Sequence, residues 1–275
     1  MASLKEVKSR ISSINGTLKI TSAMKMVASA KLHKAQEAIE NMLPYENRLH
    51  GILRNFLSSG VSVETAFASA KPVKKVALVA FASNSSLCGG YNANVIRHLT
   101  SLVEEYSQKI GKENIIVYPV GKKIAEAVKK MELEIAGDYQ HMSGKPNYQD
   151  AADLAQELMD KFMKGEIQKV DLLYNHFKST ASQVLTHETF LPMDVNQKGD
   201  EEEISQYSSD YIVEPSPAMI IESLVPKVLR MKIYTVLLDA AASEHAARTM
   251  AMQIATDNAN DLIQELDGRG AAILP

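Results

Sequence analysis

The N-terminal part of the chain carries the longest regular pattern of apolar positions. Apolar side chains recur there in alternating steps of three and four residues, which is the seam of a helix that packs against another helix. The first seam residues are Leu4, Val7, Ile11, Ile14 and Leu18. The pattern predicts a change of step at Thr21, which would locally alter the winding of a supercoil. Beyond this step the seam comprises Met24, Val27, Ala28, Leu32, Ala35, Ile39 and Met42.

This first helix is long for a chain of 275 residues. A helix of about 50 residues spans roughly 75 Å, so it must lie along a partner helix or project from the body. We expect the helix to fray near Pro44 and Gly51, because proline removes a backbone hydrogen bond and glycine is a weak helix former.

A second long apolar seam lies at the other end of the chain. Ser216 is predicted to cap this helix and Pro217 to occupy its first position, while Pro226 is expected to break or kink it. Gly268 and Gly270 are expected to end it. The seam from residue 227 onwards comprises Val228, Leu229, Ile233, Val236, Leu237, Ala240, Ala241, Ala247, Met250, Ala251, Ile254, Leu262 and Ile263. Neither terminal helix can bury its seam alone, so the pattern favours an antiparallel coiled coil of the two.

Short apolar runs and amphipathic segments alternate between the two long helices. The strands are predicted at residues 74–82, 114–120, 169–177 and 182–190, and the helices at 92–109, 122–131 and 148–163. Strands that alternate with helices indicate an α/β layer with a mainly parallel sheet. The fourth strand is expected to pair antiparallel with the third across a short turn.

The fold class predicted is therefore α/β: a long antiparallel two-helix coiled coil with a central Rossmann-like α/β domain. Its predicted segments are an N-terminal coiled-coil helix, an α/β foot domain, an acidic linker and a C-terminal coiled-coil helix. Their boundaries fall at residues 1–60, 72–195, 196–213 and 214–275.

Positive charge is concentrated on the first helix, although the whole chain has a formal net charge of −3. Residues 1–40 contain seven lysines and arginines and three glutamates. One interpretation is an ordinary solvated helix face, and the other is a rod that meets an acidic surface. The small and methionine-rich stretch around Met24 and Met26 favours the second interpretation, because methionine makes adaptable apolar contacts.

The single cysteine, Cys88, excludes an intramolecular disulfide and fits a reducing compartment. No apolar run reaches about 18 residues, so no membrane-spanning helix is predicted. The basic N-terminal helix could suggest a targeting sequence, but its seam continues too far for one. We therefore expect a mature, soluble, cytoplasmic chain.

The turn at residues 83–90 follows a strand, where α/β sheets often bind ligands. It lacks the glycine and lysine spacing of phosphate and dinucleotide loops, so a purely structural turn is the favoured interpretation. Cys88 has no neighbouring base motif and is expected to be a small buried residue. The histidines lack zinc spacing, and the acidic run at residues 200–203 is expected to be a solvated loop. No catalytic residue, cofactor or metal site is predicted.

Two motifs at opposite ends of the chain resemble one known family. The residues 20–28, Ile-Thr-Ser-Ala-Met-Lys-Met-Val-Ala, resemble the N-terminal helix of the gamma subunit of F-type ATP synthases. The residues 242–259, from Ala-Ser-Glu-His to Thr-Asp-Asn-Ala, resemble the C-terminal helix of the same family. Two separated matches in the correct order are a specific indication, and the resemblance covers nearly the whole chain.

The resemblance implies the central stalk, a rotor shaft that couples proton or sodium ion flow to ATP synthesis and is not catalytic by itself. Implied partners are the alpha and beta subunits of the catalytic head, the epsilon subunit and the c-ring. The implied place is the cytoplasmic face of the bacterial inner membrane, without a membrane span of its own. Met24 and Lys25 would meet an acidic segment of a beta subunit, with Arg248 near the same level on the opposing helix.

The chain departs from the family pattern at two places. Asn84-Ser85-Ser86 stands where the family commonly has Asp-Arg-Gly, so both charged side chains of that motif are absent and no charged contact is expected from this turn. The end of the chain, from Asp267 onwards, differs from the family's terminal segment and is interpreted as an atypical, shortened C-terminus. Two other classes stay open from the residues alone: a nucleic-acid-binding module that uses the basic helix, and a nucleotide-using enzyme. The net charge and the lack of interleaved aromatic residues weigh against nucleic-acid binding.

Overall fold

The computed structural model describes residues 4–58, 66–69, 71–193 and 216–271 of the chain. Two helices of equal length dominate it: α1 is Leu4–Ser58 and α6 is Pro217–Ala271. Each spans about 80 Å. They pack antiparallel along one another, which confirms the predicted two-helix coiled coil, here called the shaft. The predicted acidic linker at residues 196–213 lies outside the described residues.

Neither long helix is interrupted where the sequence predicted an end or a break. Helix α1 continues through Pro44 and Gly51, and α6 continues through Pro226 and Gly268. A proline inside a helix removes one hydrogen bond, but buried side chains beside Pro226, and others about one to three turns beyond Pro44, pack in the core and offset that loss. These core residues are Leu49, Leu53, Val225, Val228 and Leu229. The predicted N-terminus of α6 is confirmed, because the backbone N–H of Met219 donates to Ser216 Oγ over 3.3 Å.

Between the long helices lies a five-stranded sheet in the order β3-β2-β1-β4-β5. Its strands are β1 Val76–Phe81, β2 Ile115–Val120, β3 Glu134–Ile135, β4 Lys169–Ser179 and β5 Ser182–Leu191. All pairs are parallel except β4 with β5, which form an antiparallel hairpin as predicted. Strand β3 was not predicted, because two residues are too few to show a pattern.

The shorter helices are α2 Tyr91–Ile110, α3 Lys122–Lys130, α4 Gln140–Gly144 and α5 Tyr148–Met163. A single 3-10 turn, Lys112–Asn114, precedes β2. Helices α2 and α3 cover one face of the sheet, where they pack on Val76, Leu78 and Ala80 of β1. The other face packs on α5 and on the lower parts of α1 and α6. The shaft is therefore part of the domain core, and we call the sheet with α2 to α5 the foot.

The seam of α1 keeps its alternating spacing without interruption, so the predicted change of step at Thr21 is wrong. Thr21 is 8% exposed and Lys25 is half-buried, and both occupy seam positions. The complete seam that the structure describes comprises Val7, Ile11, Ile14, Leu18, Thr21, Lys25, Ala28, Leu32, Ala35, Ile39, Met42, Glu46, Leu49 and Leu53. The apolar pattern in the sequence did not include Thr21 and Lys25, because both residues are polar.

Four apolar residues assigned to the seams are exposed, among them Met250 at 37% and Leu262 at 48%. Val27 is 58% exposed and Ile254 is 55% exposed, so the prediction that Ile254 lies in the seam is wrong. The seam of α6 at this level instead uses His245, Thr249, Met252, Thr256 and Ala259. Ile254 lies two residues, or about 200° around the helix, from Met252. The side chain of Leu4 lies outside the part that the structure describes.

Candidate functional site

The middle of the shaft has polar contacts between its two helices. Thr256 Oγ1 lies 3.0 Å from Thr21 Oγ1, and Lys25 Nζ donates to Gln253 Oε1 over 2.5 Å. The paired residue numbers sum to 277 or 278, which defines the antiparallel register. Polar groups inside a coiled coil favour the one register that pairs them.

Five apolar side chains are exposed on the outer surface near this same level. We define the collar as Ile20, Met26 and Val27 on α1 together with Met250 and Ile254 on α6. The first three are 61%, 66% and 58% exposed, and the α6 pair is 37% and 55% exposed. At this level polar pairs lie in the seam while several apolar residues are exposed, whereas an ordinary amphipathic helix pair buries its apolar residues. Clustered apolar residues on a surface are typical of a protein–protein contact.

The three residues implied as beta-subunit contacts occupy different environments. Met24 is half-buried and flanks the seam on the side of Ile20 and Val27. Lys25 points into the seam toward Gln253. Arg248 turns toward the foot: its Nη2 donates to Ser85 Oγ over 2.9 Å, and its Nη1 lies 2.6 Å from Glu244 Oε1. The register places Arg248 about five residues, or roughly 8 Å, below Lys25 along the shaft.

The turn after β1 is held by internal hydrogen bonds. Ser83 N–H donates to Asn92 Oδ1 over 3.0 Å, and Ser83 Oγ donates to the Ser85 carbonyl over 2.5 Å. Cys88 is buried, with Asn92 Nδ2 3.2 Å from its sulfur, as expected for a small core residue. Leu87 adopts a positive φ of 66° and Gly89 one of 58°. This supports the structural interpretation of the turn.

A buried carboxylate in the foot was not predicted. Asp171 on β4 is 1% exposed, and its oxygens accept hydrogen bonds from Tyr106 over 2.5 Å and from Thr189 over 2.9 Å. Lys169 Nζ and His187 Nε2 lie 3.2 Å and 3.1 Å from it. Burial would raise the pKa of Asp171, but the hydrogen bonds and the lysine charge hold it below its usual value. Nothing in the sequence brings these residues together, since they come from α2, β4 and β5.

The described residues contain no group of three or more acidic, histidine or cysteine side chains arranged to hold a metal ion. No helix among them is long and apolar enough to cross a membrane.

The register predicts a specific cross-link. In the double variant Thr21→Cys with Thr256→Cys, the two sulfurs should form a disulfide under mild oxidation, because the native side-chain oxygens are 3.0 Å apart. Gel mobility without reductant would report the bond. The matched pair Ile20→Cys with Ile254→Cys has outward-facing side chains and should stay reduced within one chain. Cross-linking of only this second pair would contradict the register.

A long two-helix shaft that shares its core with an α/β foot defines a class of structural subunit that acts inside a larger assembly. A family profile described as ATP synthase matches residues 3–269. The ATP synthase gamma chain of Phocaeicola vulgatus is 64% identical over 266 residues, which cover 97% of this chain and 91% of that protein. The gamma chain of Flavobacterium johnsoniae is 40% identical, with coverage of 97% and 90%. The chain belongs to the ATP synthase gamma chain family.

Solved structures have the same fold at low sequence identity. The central stalk and c-ring structure of the Tetrahymena thermophila mitochondrial ATP synthase contains a chain that matches with a TM-score of 0.61 and 23% identity, covering 86% of this chain and 99% of that one. The rotor of the Euglena gracilis mitochondrial enzyme matches with a TM-score of 0.61 and 18% identity, covering 98% and 96%. The predicted fold class is thereby confirmed.

Proposed function

We propose that this chain is the rotor shaft of an ATP synthase and couples proton or sodium ion flow through a membrane sector to ATP synthesis in an alpha and beta catalytic head. The observation that carries the proposal is the apolar collar around a polar seam, on a chain that belongs to the gamma family. A shaft that stood in water would be expected to expose fewer large apolar residues at this level. The exposed apolar residues of the collar would be shielded from water if surrounding subunits covered them.

The proposed mechanism rests on asymmetry of the collar. Exposed apolar residues of α1 and α6 differ in number and type, so each surrounding subunit would meet a different surface at a given rotation angle. A contact that binds one conformation of a catalytic subunit better than another shifts its conformational equilibrium by that difference in affinity. Rotation of the shaft would then move each catalytic subunit through its conformations in turn. The chain itself would supply no catalytic residue.

The proposed partners are the alpha and beta subunits at the collar, and the epsilon subunit and c-ring at the foot. The proposed location is the cytoplasmic face of a bacterial inner membrane, in agreement with the bacterial sources of the relatives. Nucleic acid is not proposed as a partner. A nucleotide-using enzyme is disfavoured by the geometry of the foot, because α6 occupies the sheet edge where such a ligand would bind.

Charge reversal at the collar tests the proposal. Lys25→Glu should lower ion pumping per ATP hydrolysed in reconstituted complexes, because it places a negative charge beside the surface proposed to meet an acidic segment of beta. The matched control is Lys34→Glu, an exposed lysine on the same helix farther from the collar, which should have a smaller effect. Pumping and hydrolysis would be measured on the same vesicles. Equal pumping per ATP in both variants and the unmodified complex would remove the special role of Lys25.

A further inference from the structure

The strand order identifies where this sheet would bind a ligand. From β1 the chain adds β2 and β3 on one side and then returns to add β4 on the other side. The carboxyl ends of β1 and β4 therefore border the crevice at which open α/β sheets hold ligands. In this protein α6 fills that crevice, with residues 239–248 lying across the ends of both strands.

The end of β4 is bound to α6 by three hydrogen bonds. Asp239 Oδ1 accepts from the backbone N–H of Phe177 over 2.7 Å, and Asp239 Oδ2 lies 2.5 Å from His176 Nδ1. One turn later, Ser243 Oγ donates to the carbonyl of Asn175 over 2.8 Å. Ser243 is fully buried and Asp239 is 9% exposed. The helix thus takes over the backbone groups that β4 leaves unpaired at its end.

The other side of the crevice contributes three more contacts. Tyr91 at the start of α2 donates its hydroxyl to the carbonyl of Ala240 over 3.0 Å. Ser143 Oγ of α4 lies 3.5 Å from Glu244 Oε2, and Arg248 Nη2 donates to Ser85 Oγ. Glu244 also holds the Arg248 guanidinium, so it positions that side chain toward the turn after β1.

These six contacts approach α6 from several elements of the foot. The hydrophobic effect that drives apolar packing has no preferred direction. Hydrogen bonds weaken steeply when their angles change, so bonds from several directions, two of them buried, oppose both sliding and twisting of α6 against the sheet. No other segment of α6 that the structure describes has so many polar contacts with the foot.

We propose that residues 239–248 of α6 form the joint that transmits torque between the foot and the shaft, with Asp239 and Glu244 as its positioning residues. This inference rests on the proposed rotor function. In this proposal α6 permanently fills the crevice where other α/β sheets bind a ligand, and its contacts there transmit torque.

The test uses complete ATP synthase complexes assembled with this chain in vesicles. The double variant Asp239→Ala with Glu244→Ala removes about half of the six contacts. If the bonds act in parallel, torsional stiffness should fall by about half. We expect ATP hydrolysis without an ion gradient to stay unchanged. Rotational fluctuation of a bead fixed to the foot, with the catalytic head held, should increase correspondingly.

Three comparisons keep the test decisive. Glu222→Ala removes an exposed acid on the same helix and should match the unmodified complex. Asp239→Asn with Glu244→Gln keeps one accepting oxygen on each side chain and should restore part of the stiffness. If loss of charge alone were the cause, this variant would be as soft as the alanine variant. If the alanine variant does not assemble, the single variant Ser243→Ala is tested instead. We expect it to increase the rotational fluctuation of the bead by a smaller amount.

The results separate the two proposals. If complexes with the alanine variant pump normally and the connection between foot and shaft is as stiff as in the unmodified complex, the proposed joint is wrong. The proposed rotor function would not be affected by that result. Complexes with the unmodified chain that hydrolyse ATP but never pump would overturn the rotor function itself.

Discussion

Asp171→Asn is expected to lower the free energy of unfolding by about 3–5 kcal/mol, the cost of removing one partner from a buried charged cluster. The aspartate is 1% exposed and has Tyr106, Thr189, Lys169 and His187 around it. Asparagine has the same shape, but it cannot accept at both side-chain positions and leaves the lysine charge without its partner. The foot should therefore lose stability without losing its topology.

Urea unfolding of the purified protein, followed by circular dichroism, would measure this loss. Asp160→Asn is the matched control, because Asp160 is exposed on α5, and it should change the stability by less than about 0.5 kcal/mol. The folded-state pKa of Asp171 is lowered. Its contribution is therefore present above the ordinary aspartate pKa and lost as the pH falls below it. Equal stability of the two variants would show that the cluster is not a stabilising element.

The architecture could be predicted from the sequence because its determinants are local and periodic. Alternating steps of three and four residues specify a helix seam wherever it occurs, and short apolar runs between amphipathic helices specify a mainly parallel sheet. The capping serine, Ser216, was found for the same reason, since cap chemistry depends only on neighbours in sequence. The breaks predicted at the prolines were wrong because the local cost of each proline is smaller than the packing of the helix that contains it, through residues such as Leu49 on α1 and Val225 on α6.

The site could be predicted only in part, because its geometry depends on long-range pairs. Thr21 and Lys25 did not look like seam residues until their partners Thr256 and Gln253 were placed opposite them. The apolar character of Val27 and Ile254 suggested burial, although the assembled helix pair turns both outward. The contact of Arg248 with Ser85 joins residues 163 apart in the chain, and no sequence spacing indicates it.

Acidification from pH 7 to pH 5 is expected to weaken the shaft through His245. This histidine occupies the seam of α6, and its Nδ1 is buried without a hydrogen-bond partner. Burial, followed by the positive charges of Arg248 and Lys31, lowers its pKa to about 4. An unfolded chain has a histidine pKa of about 6.5, so between these values the unfolded state binds the proton more readily and stability falls with pH. The loss over this interval is about 2 kcal/mol, at 1.36 kcal/mol per pKa unit.

The measurement is the free energy of unfolding in urea at pH 7 and at pH 5, compared between variants. Other titrating groups contribute equally to the unmodified protein and to His245→Gln, so the difference between their pH dependences isolates this side chain. The glutamine variant should lose about 2 kcal/mol less than the unmodified protein between the two pH values. His33→Gln, which changes an exposed histidine on α1, should retain the full loss. If His245→Gln weakens with acid as much as the unmodified protein, then the neutral histidine in the seam is not what makes the shaft sensitive to acid.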